Sequence, residues 1–131
     1  MKVLLDTSIW IDYLRGIDPA VVDRVDGYLD RESVLMCGPV IAQLLAGTPP
    51  EDREEVWLAL GHLPWADLNR EAWRRVGELA HDLRQTGTSV PLTDLAIAVA
   101  AVIAEAELWS RDADFERIGT ALPTLTLHAP G

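Results

Sequence analysis

Short apolar segments separated by longer amphipathic ones are the feature that most constrains this chain. Val3–Leu5 is entirely apolar and stops at Asp6, and two further short runs of strand-forming residues occupy 34–37 and 107–110. Runs of this kind are typical of strands buried on both faces of a parallel sheet. The intervening segments repeat their apolar residues at helical spacing. The pattern predicts an α/β fold, a three-layer α/β/α domain with a mainly parallel central sheet.

Capping and helix-breaking residues divide the chain into elements. We expect Thr7 or Ser8 to cap the first helix and Gly16 to end it. Thr93 is expected to cap a helix that runs to Glu105 and is apolar on nearly every side, so that it lies deep in the domain. The other predicted elements are helices over 19–29, 40–46, 51–60 and 69–84, the last of which has Trp73 on its inward face. They also include a short helix from Arg111, an edge strand at 63–65, a last strand at 124–127 and a polar loop at 85–91.

Length and composition restrict the class of protein. The 131 residues predict one domain, 1–131, and the formal charge of −10 disfavours a broad basic surface for nucleic acid. Cys37 is the only cysteine, so an intramolecular disulfide and a thiolate zinc cluster are excluded. The longest apolar run is shorter than the roughly 20 residues that cross a bilayer. We therefore expect a cytoplasmic protein without a membrane segment.

Acidic residues follow two of the predicted strands and open the buried helix. Asp6 comes after the first strand, Asp112 after the strand at 107–110, and Asp94 lies at the start of the apolar helix. Ligands of parallel α/β sheets bind at the carboxyl ends of the strands, so these three side chains are expected to converge there. Taken singly, each also has an ordinary explanation as a helix cap, and Asp112 and Asp114 could form an Asx turn.

Converging carboxylates repel one another, and a divalent cation would offset that repulsion. Mg²⁺ and Mn²⁺ prefer oxygen ligands and need only one or two direct carboxylates. Such a site could orient and activate water for attack on a phosphodiester. An acidic protein could then still act locally on RNA.

Four segments of the sequence resemble the motifs of a PIN domain, specifically of the VapC toxin type. The first motif is VLLDTSIWIDYLRG at 3–16 and the second is VIAQLLAG at 40–47. The third is PLTDLAIA at 91–98 and the fourth is WSRDADF at 109–115. They occur in the order of that family, and the similarity spans nearly the whole chain.

The resemblance implies an endoribonuclease toxin that depends on Mg²⁺ or Mn²⁺, cleaves a structured RNA such as tRNA or rRNA, and is neutralised by a VapB-type antitoxin. A homodimer is also implied. By position, Asp6, Asp94 and Asp112 would be the catalytic metal ligands, and Gln43 would belong to the catalytic set. The supporting residues would be Asp114 as an alternative ligand and Thr7 and Ser110 as partners of the carboxylates or of metal-bound water.

Gln43 departs from the family pattern, which has a glutamate at this position. An amide can coordinate a metal through its carbonyl oxygen, but it is a poorer ligand for a second cation and cannot act as a base. The alternative function is therefore a catalytically weakened module that acts mainly by binding antitoxin or RNA. A phosphorelay receiver or phosphoaspartate hydrolase is disfavoured, because Lys2 is the only lysine and no second carboxylate follows Asp6 at residue 8.

Several other side chains are candidates for contacts with partners. Arg15, Arg111 and Arg117 lie near the motifs and could bind RNA phosphates, although surface ion pairs are their more ordinary role. A groove between the first helices and the helix at 40–46 would suit an antitoxin segment. Trp10 and Tyr13 are the aromatic candidates for a protein interface.

Overall fold

The computed structural model describes residues 1–129 and centres on a three-stranded parallel sheet. Its strands are β1 (Val3–Leu5), β2 (Val34–Leu35) and β3 (Glu107–Trp109), in the order β2-β1-β3. Val3 pairs with Val34 on one side and with Glu107 on the other. The central strand is completely buried, as its uninterrupted apolar sequence requires. The predicted three-layer α/β architecture with a parallel sheet is confirmed.

Seven helices surround the sheet within residues 1–129. They are α1 (Thr7–Arg15), α2 (Pro19–Asp30), α3 (Gly38–Ala46), α4 (Arg53–Leu60), α5 (Arg70–Gln85), α6 (Leu92–Ile103) and α7 (Asp114–Ala121). A single 3₁₀ turn, Pro50–Asp52, precedes α4. In this part of the chain no helix is both long enough and apolar enough to cross a membrane.

Helix α6 forms the centre of the core. Its residues 94–101 are all buried, and it packs against α3, α5, α7 and β3. The prediction of a deeply placed apolar helix is confirmed, although Leu92 and Ile103 at its two ends are exposed. Because Asp94 lies in the first turn of α6, the packing of this helix fixes where that carboxylate stands.

Two predicted helix caps are wrong. Helix α1 has Asp6 as its N-cap residue, and its side chain makes no capping hydrogen bond. The hydroxyls of Thr7 and Ser8 are instead used in side-chain contacts at the site described below. Helix α6 begins after Pro91 rather than at Thr93, since the proline ring already sets the φ angle that the chain needs there. Gly16 ends α1 in the left-handed conformation, as predicted.

The predicted edge strand at 63–65 and the predicted last strand at 124–127 are each reduced to a single bridge. Met36 pairs with Trp65, and Leu108 pairs with Leu127. In the first case Pro64 can only accept, which it does from the Met36 amide at 2.8 Å. Similarly, the short helix predicted from Arg111 begins only at Asp114, because residues 111–113 form a turn.

His128 fastens the C-terminal segment to the sheet. Its Nε2 lies 3.0 Å from an Arg24 nitrogen, which can only donate, so Nε2 accepts and Nδ1 carries the proton. Nδ1 therefore donates to Glu107 Oε1 at 2.8 Å. The imidazole also packs against the rings of Tyr28 and Trp109. This buried side chain thus joins the segment to α2 and β3, in addition to the backbone hydrogen bonds that Leu108 makes with Thr126 and His128.

Two tryptophans occupy positions opposite to those predicted. Trp10 is completely buried and lies edge-on to Tyr13, so it belongs to the core and not to a surface for partners. Trp73 was expected to face inward from α5, but it is 51% exposed. Helical spacing places both residues near the boundary of an apolar face, and only the packing of neighbouring elements decides on which side each falls.

Candidate metal site

Three elements bring acidic residues to the carboxyl edge of the sheet. Asp6 follows β1, Asp112 lies just beyond β3, and Asp94 enters from the first turn of α6. The amide of Asp6 donates to the carbonyl of Trp109 at 2.9 Å, which keeps the ends of β1 and β3 together. All three residues therefore lie at the same edge of the sheet.

The closest group of carboxylates among residues 1–129 consists of Asp94, Asp112 and Asp114. One oxygen from each lies within 4.8 Å of the others. Asp6 stands outside this group of three, and Asp114, which the sequence suggested only as an alternative ligand, stands inside it. Asp94 is buried, Asp114 is half-buried and Asp112 is exposed, so the group opens toward solvent.

The pKa of Asp94 is raised to about 6. Burial is the largest cause, and the negative charges of Asp112, Asp6 and Asp114 add to it. Two buried carboxylates, Asp6 and Asp94, thus face further negative charge at one edge of the fold. An all-oxygen donor set whose members repel one another fits a hard divalent cation such as Mg²⁺ or Mn²⁺.

Two serines hold the carboxylate of Asp6. Ser110 Oγ donates to Asp6 Oδ2 at 2.7 Å, and Ser8 Oγ lies 3.2 Å from the same oxygen. Ser110 Oγ also accepts from the amide of Asp112 at 2.9 Å and so links two acidic residues. Sequence reasoning named Ser110 but missed Ser8, which it treated only as a helix cap. The sequence feature that could have indicated this contact is the position of Ser8, whose hydroxyl lies two residues after a carboxylate at the end of a strand.

Gln43 lies at this site through its contact with α1. The hydroxyl of Thr7 donates to Gln43 Oε1, which joins α3 to the residue that follows Asp6. The amide oxygen of Gln43 is therefore already engaged in a hydrogen bond in this structure.

Asp112 also uses one of its carboxylate oxygens in a local hydrogen bond. Its Oδ1 accepts from the amide of Asp114 at 2.9 Å, which forms an Asx turn.

Two of the three arginines considered for RNA phosphates are engaged in ion pairs. Arg111 pairs with Asp12 and Asp18, and Arg117 pairs with Asp114. Arg15 is exposed at the end of α1. The ion-pair role that the sequence offered as the alternative is thus present for Arg111 and Arg117.

The sequence matches the family model for the PIN domain over residues 3–121, and the chain therefore belongs to the PIN domain family. Among curated proteins, a VapC ribonuclease of Mycobacterium bovis and the ribonuclease VapC11 of Mycobacterium tuberculosis are each 27% identical to it. Each alignment spans 121 residues, which is 88% of this chain and 90% of the relative.

Solved structures of VapBC toxin–antitoxin systems share the fold. The chain superposes on VapBC2 of Rickettsia felis, bound to a DNA fragment from the promoter, with a TM-score of 0.78 and 23% identity, covering 98% of both chains. DNA-bound VapBC of Salmonella typhimurium gives a TM-score of 0.78 with 22% identity over 98% of this chain and 97% of that one. The resemblance seen in the sequence motifs is confirmed at the level of the fold.

Proposed function

We propose that this protein is a metal-dependent endoribonuclease, the toxin of a VapBC-type toxin–antitoxin pair. The observation that carries the proposal is the cluster of carboxylates from Asp94, Asp112 and Asp114, beside buried Asp6, at the edge of a PIN fold. Relatives named VapC ribonucleases support the same activity. The net charge of −10 agrees with a local site for RNA and not a broad basic surface.

The side chains at the site have separate roles in this proposal. Asp6, Asp94 and Asp112 would hold Mg²⁺ or Mn²⁺, with Asp114 as an additional ligand. When bound, the cation would supply activation of water and neutralisation of charge on the phosphodiester. Ser8 and Ser110 orient Asp6, and Thr7 orients Gln43, so that the carboxylates keep one arrangement before RNA arrives.

Membership of the family also supports a proposal for the partners. We propose a VapB-type antitoxin that neutralises the protein, a structured RNA such as tRNA or rRNA as substrate, a homodimer as the working form, and the cytoplasm as the compartment. Solved structures of VapBC complexes from Rickettsia felis and Haemophilus influenzae support the antitoxin. The exposed apolar residues Trp73 and Leu92 support self-association.

The test is cleavage of purified tRNA and total RNA by the complete chain with Mg²⁺ or Mn²⁺. We expect cleavage that stops with a chelator and that falls by at least about a hundredfold in Asp94→Asn, because a buried ligand loses its charge. Asp82→Asn, an exposed change on α5, is the matched control. Cleavage that survives both the chelator and Asp94→Asn would contradict the proposal.

A second candidate function is a weakened module that acts mainly by binding antitoxin or RNA. The observation that favours it is Gln43, a neutral amide whose oxygen already accepts from Thr7. Comparison with Gln43→Glu separates the two functions. Cleavage by the chain with Gln43 supports the toxin, whereas cleavage only by Gln43→Glu, with RNA or antitoxin bound equally by both, supports the module.

A further inference from the structure

The loop between β3 and α7, residues 110–113, carries Asp112 and is tied to the start of the chain. Ser110 bridges the carboxylate of Asp6 and the amide of Asp112. The amide of Arg111 lies 3.2 Å from Ser8 Oγ, to which it donates. Three consecutive residues of the loop therefore take part in the hydrogen bonds that surround Asp6.

The side chain of Arg111 contacts two further carboxylates on separate segments. Its Nε donates to Asp12 Oδ2 on α1, and its Nη2 lies 3.5 Å from Asp18 Oδ2, just before α2. Asp18 is itself fixed, since its Oδ1 accepts from the Ala20 amide at 3.0 Å as the N-cap of α2. One guanidinium thus joins the loop, α1 and the beginning of α2.

Arg74 shows how this arrangement differs from an ordinary surface ion pair. Arg74 also lies between two carboxylates, Glu71 at 3.9 Å and Glu78 at 3.4 Å, but all three residues belong to α5. Its pairs cannot hold one segment against another. Arg111, by contrast, connects a turn without regular structure to two helices, and a planar guanidinium can bind two carboxylates at once where an ammonium is a single point charge.

We propose that Arg111 is a positioning residue of the acidic site, which holds loop 110–113 against α1 and α2 and so keeps Asp112 beside Asp94. This inference rests on the proposed function, because it concerns the same cation site. It also means that Asp12 and Asp18, and not an RNA phosphate, are the partners of this guanidinium.

Removing Arg111 should change cation affinity in opposite directions, depending on whether the residue acts only through its charge or also by positioning the loop. The guanidinium is a positive charge near a group of carboxylates, so its field opposes the binding of a cation. Arg111→Gln should therefore tighten cation binding if only the field matters. If Arg111 orders the loop, its loss lets Asp112 leave the group and cation binding weakens although the field has become more favourable.

The experiment is titration of the complete chain with Mn²⁺ in the absence of RNA, with free Mn²⁺ measured by electron paramagnetic resonance. We expect the Mn²⁺ affinity of Arg111→Gln to fall by about tenfold. Arg111→Lys keeps the positive charge but not the planar guanidinium that binds two carboxylates at once. Its Mn²⁺ affinity should therefore lie between those of Arg111→Gln and the unsubstituted chain. Arg74→Gln is the matched control and should bind like the natural sequence. A cooperative thermal melting transition is the criterion that each variant is folded.

The outcomes separate this inference from the proposed function. Natural protein that binds no Mn²⁺, or binds it no better than Asp94→Asn, overturns the metal site and the positioning role with it. Binding that Asp94→Asn abolishes but that is unchanged or tighter in Arg111→Gln overturns the positioning role alone. Should Arg111→Gln fail to fold, the Mn²⁺ affinity of Arg111→Lys decides. An affinity equal to that of the unsubstituted chain would contradict the need for a guanidinium that binds two carboxylates at once.

Discussion

Asp94 is the residue at which we expect folding stability and cation binding to oppose each other. Its carboxyl is buried in the first turn of the central helix, where burial and neighbouring negative charges raise its pKa to about 6. In an unfolded chain the pKa of an aspartate is close to 3.9. The folded protein therefore holds this proton more tightly, so the stability that the proton contributes is present below about pH 4 and is lost as the pH rises toward 6.

Asp94→Asn should consequently stabilise the metal-free protein at neutral pH, by about 1–3 kcal/mol, because it removes a buried charge that the neighbouring carboxylates repel. The measurement is urea denaturation in a chelator at pH 7.5 and pH 4, where the advantage of the variant should disappear. Adding Mg²⁺ should stabilise the natural sequence and not the variant. Asp82→Asn serves as the exposed control. Equal stability of Asp94→Asn and the natural sequence at pH 7.5 would contradict this account.

Part of this site could be predicted from single residues. Acids that follow the strands and open the buried helix had to meet at one sheet edge, because parallel strands end together. Which carboxylates stand closest could not be predicted, since the place of Asp114 depends on the turn made by residues 111–113. The contacts of Ser8 with Asp6 and of Thr7 with Gln43 depend on rotamers that only the assembled core selects. The roles of these residues stay predictions.

At the scale of elements, the C-terminal end of α1 was predictable from the sequence, whereas the extent of the segments outside the three-stranded sheet was not. Gly16 adopts a φ of +65°, which an L-residue with a side chain rarely accepts, so the sequence position of this glycine was a reliable stop for α1. The edge segments at 63–65 and 124–127 have strand-like composition but form single bridges. Pro64 has no amide to donate to a ladder, and sequence periodicity does not show where the pairing of either segment stops.

Gly16→Ala should destabilise the protein by about 1 kcal/mol, because alanine is strained in the left-handed conformation. An added Cβ would meet no atom within 4 Å, so steric crowding does not contribute. Gly77→Ala is the matched control, since Gly77 lies inside α5 with equally open space and without a positive φ. That change should stabilise by about 0.5–1 kcal/mol through helix propensity. Chemical denaturation measures both, and changes of the same sign would contradict the conformational explanation.

At the scale of the whole molecule, one surface groove is lined mainly by apolar side chains. Trp73 on α5 and Leu92 at the start of α6 flank a groove of about 320 Å³ that is also lined by Pro39 and Ala42 of α3. Leu92 is 55% exposed, two residues before Asp94. Contiguous exposed apolar surface of this kind is typical of a protein interface.

We expect a homodimer that uses this surface, and Leu92→Glu should shift it toward monomer by placing a charge in the buried contact. A glutamate in the first turn of a helix is compatible with folding. Light scattering coupled to size exclusion measures the mass, with Leu58→Glu as the control because Leu58 is exposed on α4, away from the groove. A dimer that tolerates Leu92→Glu but is dissociated by Leu58→Glu would place the interface on α4.

The order of the strands also determines when the site can exist during synthesis. The central strand is made first, but one of its two parallel neighbours comes from the far end of the chain, and Ser110 must reach Asp6 across 104 residues. Contacts so distant in sequence form late, because the loop between them must close first. A nascent chain that emerges from the ribosome in order therefore carries Asp6 through most of its translation without a completed site. The group of carboxylates is therefore complete only after residues 110–114 have been made and can fold back onto β1.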